Sequence, residues 1–231
     1  MSAERRSYGP GEHRFVDVYP GAGPPVVLLH GGFWRARVAL DHIAPVAEAL
    51  HARGHTVVNV EYRRVGQADW PATLNDVEAA LRTVDGPAVL VGHSAGGHLA
   101  AWVASRVPVL GVVSLAGVLT LADAAREGIG DGAVQDFVGA APDEAPDRYA
   151  AADPVALLPL GVPLRAVHAP GDDRVPLSIS RSYVAAARAA GDDAELVEVA
   201  GDHFTLVDPE HAAWPTVYRQ VTDLLAGEEG R

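Results

Sequence analysis

PAVLVGHSAGGHLAAWVASRV, residues 87–107, joins an apolar, β-rich run to a helix-favouring stretch with only GHSAGG between them. Glycines two positions before and two after Ser94 relieve crowding in a turn too sharp for side chains. Such a turn lifts the serine hydroxyl clear of a sheet. Ser94 is therefore the first candidate for a reactive group, and a strand that turns straight into a helix suggests a parallel sheet with crossover helices.

The same alternation extends in both directions. HRFVDVY, PVVLLH, TVVNVEY, AVLVG, LGVVSLA, PLRAVH and AELVEV read as strands, and several are apolar throughout, as strands covered on both faces should be. Helical stretches fall between them, one containing Pro45, which marks a kink or a late start, and Gly54, Gly86 and Gly191 sit just past helical runs. The reading is an α/β fold: a doubly wound, mostly parallel sheet with helices on both faces, in one domain spanning 1–231. Residues 119–158 break the pattern, with short helical pieces separated by Gly and Pro and no clear strand, and are expected to form a small lid insertion. The GIGDGA stretch inside it neither follows a strand nor carries a lysine, so it reads as a turn and not as a phosphate loop.

Composition narrows the chemistry. The chain has no cysteine, which removes disulfides, thiolate zinc sites and cysteine nucleophiles together. It has no lysine either, since all 18 basic side chains are arginine, and this excludes a Schiff base, a Walker lysine and a serine–lysine dyad. A formal charge of −12 argues against a nucleic-acid partner and an anionic membrane surface. The opening MSAERRSYGPGEHRF lacks the apolar core of a secretory signal, and no apolar run approaches the roughly 18 residues of a membrane span. The expectation is a cytoplasmic protein acting on a small molecule, with no cofactor and no metal; its oligomeric state is not readable.

A serine hydroxyl needs a base to take its proton and a third group to orient that base. APGDDRVPL places Asp172 and Asp173 just past the strand PLRAVH, where open α/β sheets put their sites. AGDHF places His203 in a loop before the last helix. Upstream, PVVLLH runs into HGGFWR, whose glycines expose backbone N–H groups suited to an oxyanion. Taken singly, the acidic pair reads as a solvated turn, His203 as a surface histidine and the glycines as an ordinary turn; their chain order sets them apart.

Through HGGFW, VEYRR, GHSAGGHLA, GDDRVPL and GDHF the chain resembles the serine α/β-hydrolases, especially the small esterase and arylformamidase (kynurenine formamidase-like) branch. The resemblance implies the α/β-hydrolase fold, Ser94 as nucleophile, and His203 as general base and then acid. It also implies backbone N–H groups near Gly32, Phe33 and Ala95 as oxyanion hole, and Asp172, three residues before Val175, in preference to Asp173. The implied activity is hydrolysis of a small ester or amide through an acyl-enzyme. An acyltransferase with the same triad and a non-catalytic ligand-binding protein are the alternatives.

Trp34 and Trp70, with Phe137 and Tyr149 from the lid, are candidates for the wall of an acyl or aryl pocket. His93 is expected to pack beneath the elbow, His98 to be buried against the sheet, His30 to brace the oxyanion loop, and His211 to be the reserve base. His51 and His55 have i, i+4 spacing, but Gly54 between them ends the helix, which argues against zinc.

Overall fold

The computed structural model describes residues 3–227. Its strands are β1 (Glu4–Ser7), β2 (Phe15–Tyr19), β3 (Ala22–Leu29), β4 (His55–Val60), β5 (Ala88–His93), β6 (Val109–Leu115), β7 (Leu164–His168) and β8 (Ala194–Glu198). They form one sheet in the order β1-β2-β4-β3-β5-β6-β7-β8. From β4 onward in that order all neighbours are parallel, whereas β2 is antiparallel to both β4 and β1.

The helices are α1 (Ala44–His51), α2 (Trp70–Leu81), α3 (Ala95–Ala104), α4 (Leu121–Arg126), α5 (Ala133–Val138), α6 (Pro146–Ala152), α7 (Leu177–Ala189) and α8 (Trp214–Ala226). Strand residues alternate between faces, and both faces are covered. Val27, Leu29, Leu90 and Val112 pack with α2, α3 and α7. Val26, Leu28, Val89, Val91 and Val113 pack with α1 and α8. The alternation is therefore invisible as polarity, and the central strands read as unbroken apolar runs. Each fully buried Val or Leu contributes roughly 1.5–3 kcal/mol relative to exposure.

Two local outcomes refine the sequence reading. β1, with the sequence ERRS, is exposed along its whole length and was not among the anticipated strands. It is held by its antiparallel ladder to β2, from Glu4↔Val18 to Ser7↔Phe15, and not by burial. Pro45 marks the late start and not a kink: α1 begins only at Ala44, with Pro45 in its first turn, where a missing N–H costs nothing, and Leu40–Ile43 before it form a separate 3-10 turn.

Residues 119–158 leave the sheet after β6 and carry α4, α5, α6 and a 3-10 turn at Pro154–Leu157. Their apolar side chains Leu121, Val134, Phe137 and Tyr149 join the core on the α3 side of the sheet. Two indole or imidazole groups of α3 are tied to the end of α6: Trp102 Nε1 donates to Ala151 O at 2.9 Å, and His98 Nε2 donates to Ala152 O at 2.9 Å.

Candidate active site

The chain crosses from β4 to β5 over β3, so β3 and β5 are neighbours from which successive connections diverge. Ligands bind outside the carboxyl ends of strands at such a switch point. Ser94 stands there, between β5 and α3, with φ 55° and ψ −118°. A left-handed backbone at a serine is strained, and several backbone hydrogen bonds hold it there. Ser94 N–H donates to Leu115 O at 2.8 Å, while its carbonyl accepts from Gly97 and Val118. The flanking glycines are required by space: a Cβ on Gly92 would collide with the Gly96 carbonyl, and one on Gly96 with the carbonyl of Leu29. This second close approach brings the end of β3 against the elbow.

The HGGFW segment follows β3 with positive φ at Gly32 (109°), Phe33 (54°) and Trp34 (54°). At Gly31 a Cβ would lie 2.9 Å from His93 Nδ1 and 3.1 Å from Ser94 Cβ, so the loop passes directly over the serine. Among the described residues the N–H groups of Phe33 and Ala95 have no hydrogen-bond partner. Beneath the loop, His30 is fully buried, its ring stacked on Tyr62 at 4.3 Å, and Tyr62 Oη donates to His30 O at 2.7 Å. Buried Arg64 pairs with Glu61 at 2.6 Å and holds the Val38 carbonyl, and Glu61 accepts from Leu40 N–H at 2.9 Å. VEYRR thus supplies a buried polar brace, and His30 belongs to it.

Asp172 and His203 follow β7 and β8. His203 Nδ1–H donates to Asp172 Oδ2 at 2.6 Å, both side chains being buried. The other carboxylate oxygen accepts from the N–H groups of Arg174 (2.8 Å) and Val175 (2.9 Å), and His168 Nε2 approaches Oδ2 to 3.3 Å. Burial works against ionisation of Asp172, but the contacts from His168, His203 and Val175 outweigh it and hold the carboxyl well below the ordinary carboxylate range. Asp173, by contrast, points to solvent beside Arg174. A neutral imidazole with its Nδ1 proton given to a carboxylate has a free lone pair on Nε2, able to receive a proton.

His203 is held by its backbone as well. Asp202 Oδ1 accepts from Phe204 and Thr205 N–H groups, which fixes the loop. His93 Nε2–H donates to the His203 carbonyl at 2.9 Å, so its Nδ1 is an acceptor and takes the Nε2–H of His42 at 2.9 Å. Burial, reinforced by His203 and His42, keeps His93 well below the usual histidine range and therefore neutral.

Ser94 and His203 line one cavity of about 270 Å³, together with Gly32, Phe33, His42 and His93. Among the described residues there is no hydrogen bond between Ser94 Oγ and the His203 ring. The two groups share a wall of that cavity. A larger cleft of about 400 Å³ lies at the opposite ends of β5 and β6, around Pro87, Ala88 and Pro108, and contains neither a serine nor a histidine.

A model of the family described as BD-FAE matches residues 19–186, which is 168 of the 231 positions. The chain belongs to the BD-FAE family. The BD-FAE match includes Ser94 and Asp172 and stops before His203, which the fold brings to them. A kynurenine formamidase of Danio rerio is 33% identical over 109 residues, 42% of this chain and 37% of that protein. Carboxylesterase NlhH of Mycobacterium tuberculosis is 40% identical over 90 residues, 34% of this chain and 28% of that protein. The chain thus spans about a third of the length of these curated relatives. A solved truncated carbohydrate esterase from gut microbiota superimposes with a TM-score of 0.83 at 19% identity, covering 100% of this chain and 97% of that one. The shared architecture is the α/β-hydrolase fold.

The anticipated aromatic wall is arranged differently in this BD-FAE member. Trp34 is fully buried, stacked on Phe137 at 4.6 Å, and its Nε1–H donates to His98 Nδ1 at 3.2 Å. Tyr149 is buried, with its hydroxyl donating to Ala140 O at 3.0 Å, and Trp70 opens α2 half-buried against the same core. None of these four lines the cavity of Ser94; the rings of Trp34, Phe137 and Tyr149 are buried in the core that α3 and the insertion share. His98 meets Trp34 and the insertion, and burial lowers its pKa to about 4. His211 accepts from Ala213 N–H in the turn before α8, outside the cavity, and His55 pairs with Tyr218 at 3.0 Å. No cluster of three metal-ligating side chains occurs among the described residues, and no helix there is long and apolar enough to cross a membrane.

His42, Arg37, Arg174 and Phe204 also line the cavity and were not singled out from the sequence. Only His42 carried a usable signal, an unexplained histidine following the HGG loop by a short interval.

Proposed function

We propose that this chain is a serine hydrolase cleaving a small carboxylic ester or amide through an acyl-enzyme. The observation that carries the reading is the 2.6 Å bond from His203 to Asp172 in a ring that shares one cavity with the strained Ser94. Ser94 Oγ attacks the substrate carbonyl while His203 Nε2 takes its proton, and the Phe33 and Ala95 N–H groups receive the oxyanion. His203 then gives that proton to the departing alcohol or amine. Water attacks the acyl-enzyme with His203 again as base, releasing the acid and restoring the serine. Asp172 stays ionised throughout, orienting the ring and stabilising its cation.

The formamidase and esterase names of the relatives support this reaction class. The test is turnover of 4-nitrophenyl acetate, a panel of aryl formamides, and labelling by a fluorophosphonate. Wild type is expected to turn over at least one substrate and to gain one covalent adduct at Ser94, and Ser94→Ala to lose both while keeping its fold. Wild-type turnover in the Ser94→Ala protein would refute the assignment.

A further inference from the structure

The cavity of Ser94 has a charge that the whole chain does not. The protein carries a formal charge of −12, and most of its described arginines are engaged by carboxylates or carbonyls. Arg37 lines the cavity, is exposed, and makes no hydrogen bond or ion pair among the described residues. Arg174, also on the lining, is 54% exposed and has as its ion-pair partner only the neighbouring Asp173, at 3.3 Å and itself 75% exposed. An exposed pair of this kind holds little energy and yields readily to a better partner. No Asp or Glu lines the cavity; Asp172, the nearest by role, is buried behind His203. At physiological salt, charges beyond about 8 Å are largely screened, so the distant acidic remainder adds little here, and the formal charge of the lining is that of Arg37 and Arg174, the latter offset in part by Asp173.

The apolar part of the lining is equally specific. Phe204 is 51% exposed and is the large hydrophobic residue left open among the described residues. It sits edge-on to the His203 ring at 5.4 Å, with Phe33 also on the lining. Serine and imidazole, phenyl rings, one unpaired guanidinium group and one weakly paired one describe a ligand with a reactive carbonyl, a short apolar stretch and an anion.

We propose that the site takes an ester or amide that carries a carboxylate, with Arg37 and Arg174 holding the anion while the scissile carbonyl meets Ser94. This deepens the hydrolase reading and rests on it. The carboxylate belongs to the acyl part or to the leaving part, and matched probes separate the two. Mono-4-nitrophenyl succinate is compared with 4-nitrophenyl butyrate, and 3-acetoxybenzoate with its methyl ester, in wild type and in Arg37→Gln/Arg174→Gln. In one of the two pairs the anionic member is expected to be favoured about tenfold in kcat/KM, after subtraction of spontaneous hydrolysis. The ratio should fall to about twofold or less in the double variant, and shrink in wild type between about 20 mM and about 500 mM salt. Reading a ratio cancels any general loss of activity in the variant. Binding of 3-benzoylpropionate against uncharged butyrophenone gives a second measure that needs no turnover.

Hydrolysis of the neutral esters without an arginine-dependent preference in either pair would overturn this inference and leave the hydrolase reading intact. Arginine-dependent binding of 3-benzoylpropionate in a protein that cleaves none of the four esters would do the reverse, sinking the hydrolase reading and keeping the anion site.

Discussion

Replacing Asp172 with Asn changes one atom, and the structure leaves the amide no good orientation. If its oxygen stays where Oδ1 accepts from the Arg174 and Val175 N–H groups, its NH2 group faces His203 Nδ1–H and His168 Nε2. Donor then meets donor, and His203 moves its proton to Nε2, the atom that must be free to act as base. If the amide flips, the NH2 group faces two backbone N–H groups, and each buried donor left unpaired costs roughly 1–3 kcal/mol. The first orientation is the cheaper one and disables the base. A loss of about 10³–10⁴-fold in kcat is expected from a wrong tautomer in such a triad, or about 4–5.5 kcal/mol on the barrier at 1.36 kcal/mol per tenfold. The assay is the steady-state hydrolysis of an activated ester by Asp172→Asn, with Asp173→Asn as a control expected to stay within about twofold. The acid side of the stability curve should also change. The folded carboxyl ionises at lower pH than the unfolded one, so its stabilisation is complete above the unfolded value of about 3.9 and is lost as pH falls toward the folded value. Urea titrations should therefore show a shallower decline below pH 4 in the variant. Retention of activity within about threefold by Asp172→Asn, or a large loss in Asp173→Asn, would refute the argument.

Gly96→Ala is expected to lower stability by about 2–3 kcal/mol or more in chemical denaturation, because the new methyl meets the fixed backbone carbonyl of Leu29 and no flexible side chain can yield. His98 titrates at about 4 when folded against about 6.5 unfolded, so its neutral form is favoured by folding. The associated stability is present above pH 6.5 and falls by about 3 kcal/mol as pH drops to 4. His98→Gln should flatten that part of the pH–stability curve, and an unchanged slope would remove His98 as its source.

The sequence by itself determined the parts of this protein whose cause is local. Within GHSAGG, Gly92 is needed because a Cβ there would strike the Gly96 carbonyl four residues on, a demand written in the motif itself, whereas Gly96 answers to the Leu29 carbonyl of β3, which only the assembled sheet brings near. The central strands were legible because burial on both faces leaves an unbroken apolar run, and the insertion because Gly and Pro interrupt it. β1 was not legible, since hydrogen bonding to a neighbour places no demand on the side chains of ERRS. The sequence narrowed the acid to two adjacent aspartates; only the tertiary structure put Asp172 against His203, 31 residues away, and turned Asp173 to solvent. The aromatic wall went the other way. Trp34 and Phe137 have the composition of a pocket, yet their direction depends on how the insertion packs against α3, and there each ring finds the other and not the cavity. Residue type fixes what a side chain can do chemically; the meeting of distant segments, governed by packing over the whole core, decides what it does it to.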